Sequence, residues 1–382
     1  MTLPKAIIYL GGSYAEVELI QAFKRHNLSV VLIDRNGDAP GREFADEFLN
    51  LGVTDTVSIR TALKALQARY TFVGAYGIVD YAFKTIQELV EDLEIKLNLP
   101  EIYKDFINKI RTKKRLERHG ILTSKIIMEG RVCNDAILQA IGASPSPAVV
   151  IKASDSCNSD GVEIVATTEQ DSIKAAIHKA IKVSGEFFCE EFISGPLYNL
   201  DIILNNGSLF IVAITDRYRL KDSITSVAGL QQNPTHHPQW VEFENLALKI
   251  CNMFSDYKGP LTADIILGAN GLQVLEISPH LHVSKLQGIR DPRILEIWPS
   301  ILAGKEPGQS CLSGKSTTSA YVRIYGDSDV YRTAFDLSWI IGIEEFPIPR
   351  EFGRHSLKKI IWLKTDSPDV LRDKLEDFVN AT

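Results

Sequence analysis

Apolar positions along the chain fall into two rhythms, and their alternation sets the order of elements. Lys5–Leu10 (KAIIYL) is a continuous apolar run that predicts a buried strand. It leads into Gly11-Gly12-Ser13, then a helical spacing over Ala15–Arg25, then a second apolar run, Leu28–Asp34. That succession predicts a βαβ unit with a parallel sheet, which Phe72–Tyr76 extends. Leu99-Pro100 marks a boundary, beyond which Ile102–Arg118 reads as one helix. Ala148–Lys152 (AVVIK) predicts a strand closed by a lysine, followed by a polar loop and the strand Glu163–Ala166. A helical spacing over Asp171–Lys182 precedes a strand over Glu186–Ile193. Leu200–Leu204 and Leu209–Thr215 flank Asn205-Asn206-Gly207, a hairpin turn. After a helix at Val241–Phe254, two strands, Leu261–Gly268 and Leu272–Ser278, are joined by Ala269-Asn270-Gly271. A loop-like stretch from Gly304 to Gly314 separates these from strands at Ala320–Tyr325 and Lys358–Leu363 and a helix at Asp369–Val379.

The hairpin carries the sharpest chemical expectation. In the register set by its three-residue loop, residues whose numbers sum to 540 face each other, so Asp264 lies across from Glu276. Two opposed carboxylates repel unless a positive charge lies between them. A hard divalent cation held by one or two carboxylates plus substrate phosphates meets that need. A slip of one residue would turn both acids to the other face, and that alternative stays open on the hairpin alone. The lysine closing Ala148–Lys152 suits a partly desolvated cation aimed at phosphate, and the small residues after it can lay backbone donors over the same anion.

Composition narrows the class. The 382 residues suit two or three domains, and 45% hydrophobic with 24% charged residues is globular usage. A net charge of −6 argues against nucleic acid as the main partner. No apolar stretch nears the length of a membrane span. Five widely spaced cysteines without a zinc spacing suit a reduced, cytoplasmic setting. The turn GGSYAE lacks the full GxGxxG pattern of a dinucleotide site. Gly12, Ser13 and the Gly74–Asp80 loop, at strand ends of an open sheet, are candidate substrate contacts.

The run EISPHLH after the hairpin resembles the metal-binding strand of the ATP-grasp ligases. It is similar to the ending Glu-x-(Ala/Ser)-Pro-Arg-Pro-His found in two purine-biosynthetic branches of that family, carboxyaminoimidazole ribonucleotide synthase and formate-dependent glycinamide ribonucleotide transformylase. Glu276, Ser278, Pro279 and His282 match, while His280 stands where that family has Arg. The order of motifs agrees: Lys109 near the start of its helix, Lys152 with the lid run Ser159-Asp160-Gly161-Val162, the acidic hinge at Glu190, Glu191 and Ile193, and the paired acids. The resemblance implies α/β and α+β architecture: a parallel-sheet pre-ATP-grasp domain (1–100), an ATP-grasp domain (101–308, lid roughly 121–190) and a small C-terminal α+β domain (309–382).

It further implies ATP and Mg²⁺, with Mn²⁺ as a substitute. Lys109, Lys152, Ser159, Gly161, Val162, Glu190, Glu191, Ile193 and Asp201 would lie on the nucleotide. Asp264, Glu276 and Ser278 would lie at the metal, and Lys152, Arg217, Lys221 and His280 at the reacting groups. The implied activity joins a carboxylate to an amine through an acyl phosphate, with release of ADP and phosphate. A purine-pathway-like carboxylase or formyltransferase acting on a ribonucleotide, and a nucleotide-binding protein without ligase activity, remain as alternatives. The expected partners are small-molecule acids and amines, with no nucleic acid or membrane and a homodimer left open.

Overall fold

The computed structural model describes residues 2–78, 80–98, 100–156, 159–219, 226–282, 284–307, 317–325, 331–352 and 355–381. The first apolar runs form β1 (Lys5–Leu10), β2 (Ser29–Ile33), β3 (Glu47–Leu49) and β4 (Thr71–Gly77), a parallel sheet ordered β3-β2-β1-β4. Its crossovers carry α1 (Val17–Arg25) and α2 (Thr56–Leu66), and α3 (Phe83–Asp92) follows β4. β1 and β2 are buried almost throughout because helices cover both faces. The glycine turn after β1 is closed by the chain itself: Asp34 Oδ2 accepts the Gly12 amide at 2.8 Å. A Cβ on Gly12 would come within 2.9 Å of Leu32 Cδ2, so the turn serves tight packing.

The expected single helix over 102–118 is two, α4 (Pro100–Ile107) and α5 (Lys109–Arg118). Asn108 breaks it, because its side chain accepts the Arg111 amide at 3.0 Å and caps the second helix. Lys109 thereby becomes the first residue of a helix. The lid follows as β5 (Ile126–Gly130), α6 (Asp135–Gly142), β6 (Ala148–Ala153), β7 (Glu163–Ala166), α7 (Gln170–Ser184) and β8 (Phe187–Glu191), its sheet ordered β5-β8-β6-β7.

The central sheet is antiparallel with eight strands. It comprises β9 (Leu197–Asn205), β10 (Ser208–Arg219), β11 (Ser226–Gln232), then, after α8 (Trp240–Met253), β12 (Lys258–Gly268) and β13 (Gly271–Ser278). Beyond α9 (Ser284–Arg290) and α10 (Ile297–Ala303) come β14 (Thr318–Tyr325), α11 (Tyr331–Ala334), β15 (Ile340–Phe352), β16 (His355–Thr365) and α12 (Pro368–Ala381). Strand order is β13-β12-β9-β10-β11-β14-β16-β15. The C-terminal strands therefore continue the sheet that holds the hairpin, and α12 packs on them over a small core of Leu371, Leu375 and Phe378.

One cross-strand row fixes the sheet's geometry near the hairpin. Arg217 on β10 pairs with Gly229 on β11, which pairs with Tyr321 on β14. The Tyr321 ring lies over Gly229, where an added Cβ would fall 2.5 Å from ring carbon Cε1. Gly229→Ala should therefore overpack this row and destabilise the protein by about 1–3 kcal/mol. Urea unfolding checks this, and an unchanged midpoint would show that the sheet gives way without cost.

Candidate nucleotide and metal site

The β12–β13 hairpin turns tighter than its sequence suggests. Gly268 pairs with Gly271, leaving Ala269-Asn270 as a two-residue turn, and Gly271 takes φ of 101°. A bulge then skips Leu275 and restores the expected pairing of Asp264 with Glu276. Both acids line one cleft, with a cavity volume of about 310 Å³, between the lid sheet and the central sheet. Asp264 accepts from Arg217 Nη1 at 2.8 Å and from Asn199 Nδ2. Glu276 is paired with Lys109 Nζ at 2.9 Å.

These two carboxylates fit a divalent cation of the magnesium kind. They are hard oxygen donors on adjacent strands, with Ser278 lining the same cleft. Among the described residues no group of three or more His, Cys, Asp or Glu side chains is placed to hold a metal. A protein offering two carboxylates leaves the remaining positions to water and phosphate, which is how Mg²⁺ is usually bound.

The opposite wall is the lid, and its charge is concentrated on Glu190. This carboxylate is 1% exposed and lies between two lysines, Lys152 at 2.6 Å and Lys113 at 2.7 Å. Burial alone would raise its pKa, but Lys113 and then Lys152 outweigh it and bring the group down to about 2. Lys113 is as buried, and desolvation pulls its pKa down against Glu190's attraction. Ser124 Oγ joins the pair, receiving from Lys113 at 2.6 Å and donating to Glu190 at 2.9 Å. Each charge in this triad thus has a hydrogen-bonded partner.

The ATP-grasp domain family matches residues 106–284, which span α5, the lid and the hairpin. The chain carries an ATP-grasp domain. Solved structures share the whole architecture at low identity. L-amino acid ligase from Bacillus licheniformis superposes with a TM-score of 0.76 at 13% identity, covering 100% of this chain and 98% of that one. The ADP complex of N5-carboxyaminoimidazole synthetase from Staphylococcus aureus has a TM-score of 0.76 at 16% identity, covering 99% and 98%. A biotin carboxylase domain from Hydrogenobacter thermophilus, crystallised with MgADP and bicarbonate, has a TM-score of 0.71 at 17% identity, covering 98% and 90%. No curated protein matches the sequence. No described helix is long and apolar enough to cross a membrane.

Most of the residues singled out from the sequence converge on the ATP-grasp cleft. Lys109, Lys152, Ser159, Val162, Glu191 and Ile193 line it. Arg217, Ser278 and His280 line the remainder. His280 stacks on Phe83 of α3 with ring centroids 5.9 Å apart. Gly161, which takes φ of 68°, is packed so that a Cβ added there would fall 3.0 Å from the Ala153 methyl. Lys221 lies outside the described residues. Glu190 lines the cleft as well, and its side chain is engaged by Lys113 and Lys152.

Asp201 is a correction. It is fully buried and does not line the cleft, so it offers no ribose contact. Its carboxyl accepts the His282 amide at 2.7 Å and Gln287 Nε2 at 2.8 Å, tying β9 to the loop that leaves the hairpin. Burial pushes its pKa up to about 7 against those hydrogen bonds. The reason lies in pairing: Asp201 opposes Thr262 on β12 and Ala213 on β10, in the middle of the sheet. Two residues were missed, Lys113 and Arg323. Lys113 stands four positions after Lys109, one helical turn along the same face, and that spacing was the available signal. Arg323 enters the cleft from β14, far along the chain, and no local pattern marks it.

The Glu190 pair has a signed pH consequence. A carboxylate whose folded pKa lies below its ordinary value stabilises the fold above about pH 4.5. That stability is lost as pH falls toward about 2. Glu190→Gln should destabilise by about 3–5 kcal/mol near neutrality, because it leaves two lysines without their carboxylate, and should flatten the acid limb of the stability curve. Denaturant titrations from pH 3 to 7 read both effects, and an acid limb identical in the variant would remove Glu190 from this role.

Proposed function

We propose that this protein is an ATP-dependent carboxylate–amine ligase. The observation that carries the reading is the facing pair Asp264 and Glu276 in one cleft with Lys109 and Lys152, inside an ATP-grasp domain. The ADP and MgADP complexes among the structural neighbours, and the acid and amine chemistry those proteins are named for, point to the same class.

In this reading Lys109 and Lys152 neutralise the triphosphate, each already held at the cleft by an acid that a phosphate can replace. Lys113 stays on Glu190 and keeps that carboxylate compensated while Lys152 turns to phosphate. When bound, Mg²⁺ would supply charge neutralisation on the phosphate oxygens, and Asp264 and Glu276 are the residues to hold it. A substrate carboxylate oxygen attacks the γ-phosphorus, the bond to the β-phosphate oxygen breaks, and ADP leaves. The amine then attacks the acyl carbon of the acyl phosphate and expels phosphate. His282 remains neutral in this setting: burial first, then the charges of Arg217 and Arg323, hold its pKa far below the ordinary range.

A ribonucleotide-directed carboxylase is the second reading, favoured by the run Ser278-Pro279-His280-Leu281-His282. Phosphoribosyl compounds would then raise the melting temperature where amino acids would not. The test of the main reading is an ADP-release screen over small acids paired with amines. Activity dependent on both substrates is expected, and Glu276→Gln should lower kcat/KM by about 100-fold or more while leaving the fold intact. Unchanged turnover in that variant would contradict the assignment.

A further inference from the structure

Opposed carboxylates need a positive charge beside them, and the fold supplies its own. Arg217 Nη1 donates to Asp264 Oδ2 at 2.8 Å, and Asn199 Nδ2 donates to the other oxygen, Oδ1. Asn199 is fully buried on β9, directly across from Asp264, so that contact is built into the sheet. Glu276, across the hairpin, is paired with Lys109 Nζ at 2.9 Å. Two acids thus meet two cations, and the formal charges of these four groups cancel.

Arg217 is tied electrostatically to both acids. Burial works to lower its pKa, but Asp264, followed by Tyr321 and Glu276, outweighs burial and raises it. The grip is nevertheless one that an anion can break. A guanidinium pairs most firmly with a carboxylate through two nitrogens on two oxygens. Asn199 holds Oδ1, which leaves Arg217 only Nη1 on Oδ2, and its Nε–H is buried without an acceptor among the described residues. A polyphosphate offers the fork several oxygens and more charge than one carboxylate.

We infer that Arg217 is an internal counter-ion that keeps Asp264 and Glu276 from a divalent cation arriving alone and yields to a polyphosphate, so that metal and nucleotide enter together. The inference rests on the reading of these two acids as the metal residues and goes beyond it, since it gives Arg217 a part in the order of binding. Without phosphate, a dication would add its charge to a cluster already compensated and would compete with two hydrogen bonds for Asp264. With phosphate, Arg217 and Lys109 turn to the new anion and leave the acids uncompensated. Metal and polyphosphate then favour each other, and by linkage each strengthens the other by the same factor.

The experiment titrates the full chain with Mn²⁺ in the absence of nucleotide and counts the free ion by its paramagnetic resonance, so no turnover is required. Arg217→Gln should bind Mn²⁺ about 5- to 150-fold more tightly than the native protein, the usual range of a coupling between sites. Arg217→Lys, which keeps the charge, should stay near the native affinity. Adding Glu276→Gln to Arg217→Gln should abolish the gain, which locates the ion at the acid pair. An Arg217→Gln variant that melts like the native protein and binds Mn²⁺ no more tightly overturns the proposal, as does an equal gain in Arg217→Lys. The native protein gives a check that needs no variant. Mg²⁺ and a non-hydrolysable ATP analogue together should raise its melting temperature by more than the sum of their separate shifts, and a joint shift no larger than that sum also overturns the proposal. The metal reading of the acids fails separately, if Glu276→Gln leaves Mn²⁺ binding in the presence of the analogue unchanged.

Discussion

The site depends on holding two carboxylates against each other on neighbouring strands. Asp264 and Glu276 are brought face to face by a hairpin whose bulge at Leu275 corrects the register set by its turn. Left alone the pair would repel. The protein answers with Arg217 on one acid and Lys109 on the other, and each of those cations belongs to a different part of the architecture. Arg217 comes from the central sheet, and Lys109 opens the helix that connects to the lid. The paired acids therefore gather the elements around the cleft as well as furnishing a place for a cation.

A second charged cluster does the same on the lid side. Glu190, Lys113 and Lys152 are buried together, with Ser124 completing their hydrogen bonds. Such a cluster is worth little as a source of stability compared with apolar packing, but removing one member is costly. Its consequence is placement: Lys152 is aimed into the cleft from β6 while Lys113, behind it, remains fixed. The two clusters set lysines from α5 and β6 above acids on β12 and β13, and the space between them has the charge pattern a metal-bound polyphosphate needs.

Much of this was legible in the residue order because the relevant interactions are local. β1 and β7 fall at the positions their apolar runs mark, and the hairpin acids are twelve residues apart in sequence. Even there the path differed: a two-residue turn plus a bulge gives the same facing pair as a three-residue loop. What sequence could not show depends on distant pairing. Asp201 reads as an available acid after the hinge, yet β12 and β10 close over it on either side. Asn108 reads as a helix interior position, yet its side chain prefers to cap. β15, interrupted by Pro347 and Pro349, was absent from the pattern because proline weakens the strand signal and is tolerated only at an edge, which is where β15 lies. Arg323 reaches the cleft only because β14 joins the central sheet beside β11.

The most direct measurement is anomalous diffraction from crystals grown with Mn²⁺ and a non-hydrolysable ATP analogue. The account predicts a manganese peak in contact with both the Asp264 and Glu276 carboxylates, roughly 2.0–2.5 Å from their oxygens, with the analogue's phosphates completing the coordination beneath Lys109 and Lys152. A nucleotide bound in the cleft with no metal at those two acids, or with the metal held elsewhere, would contradict it.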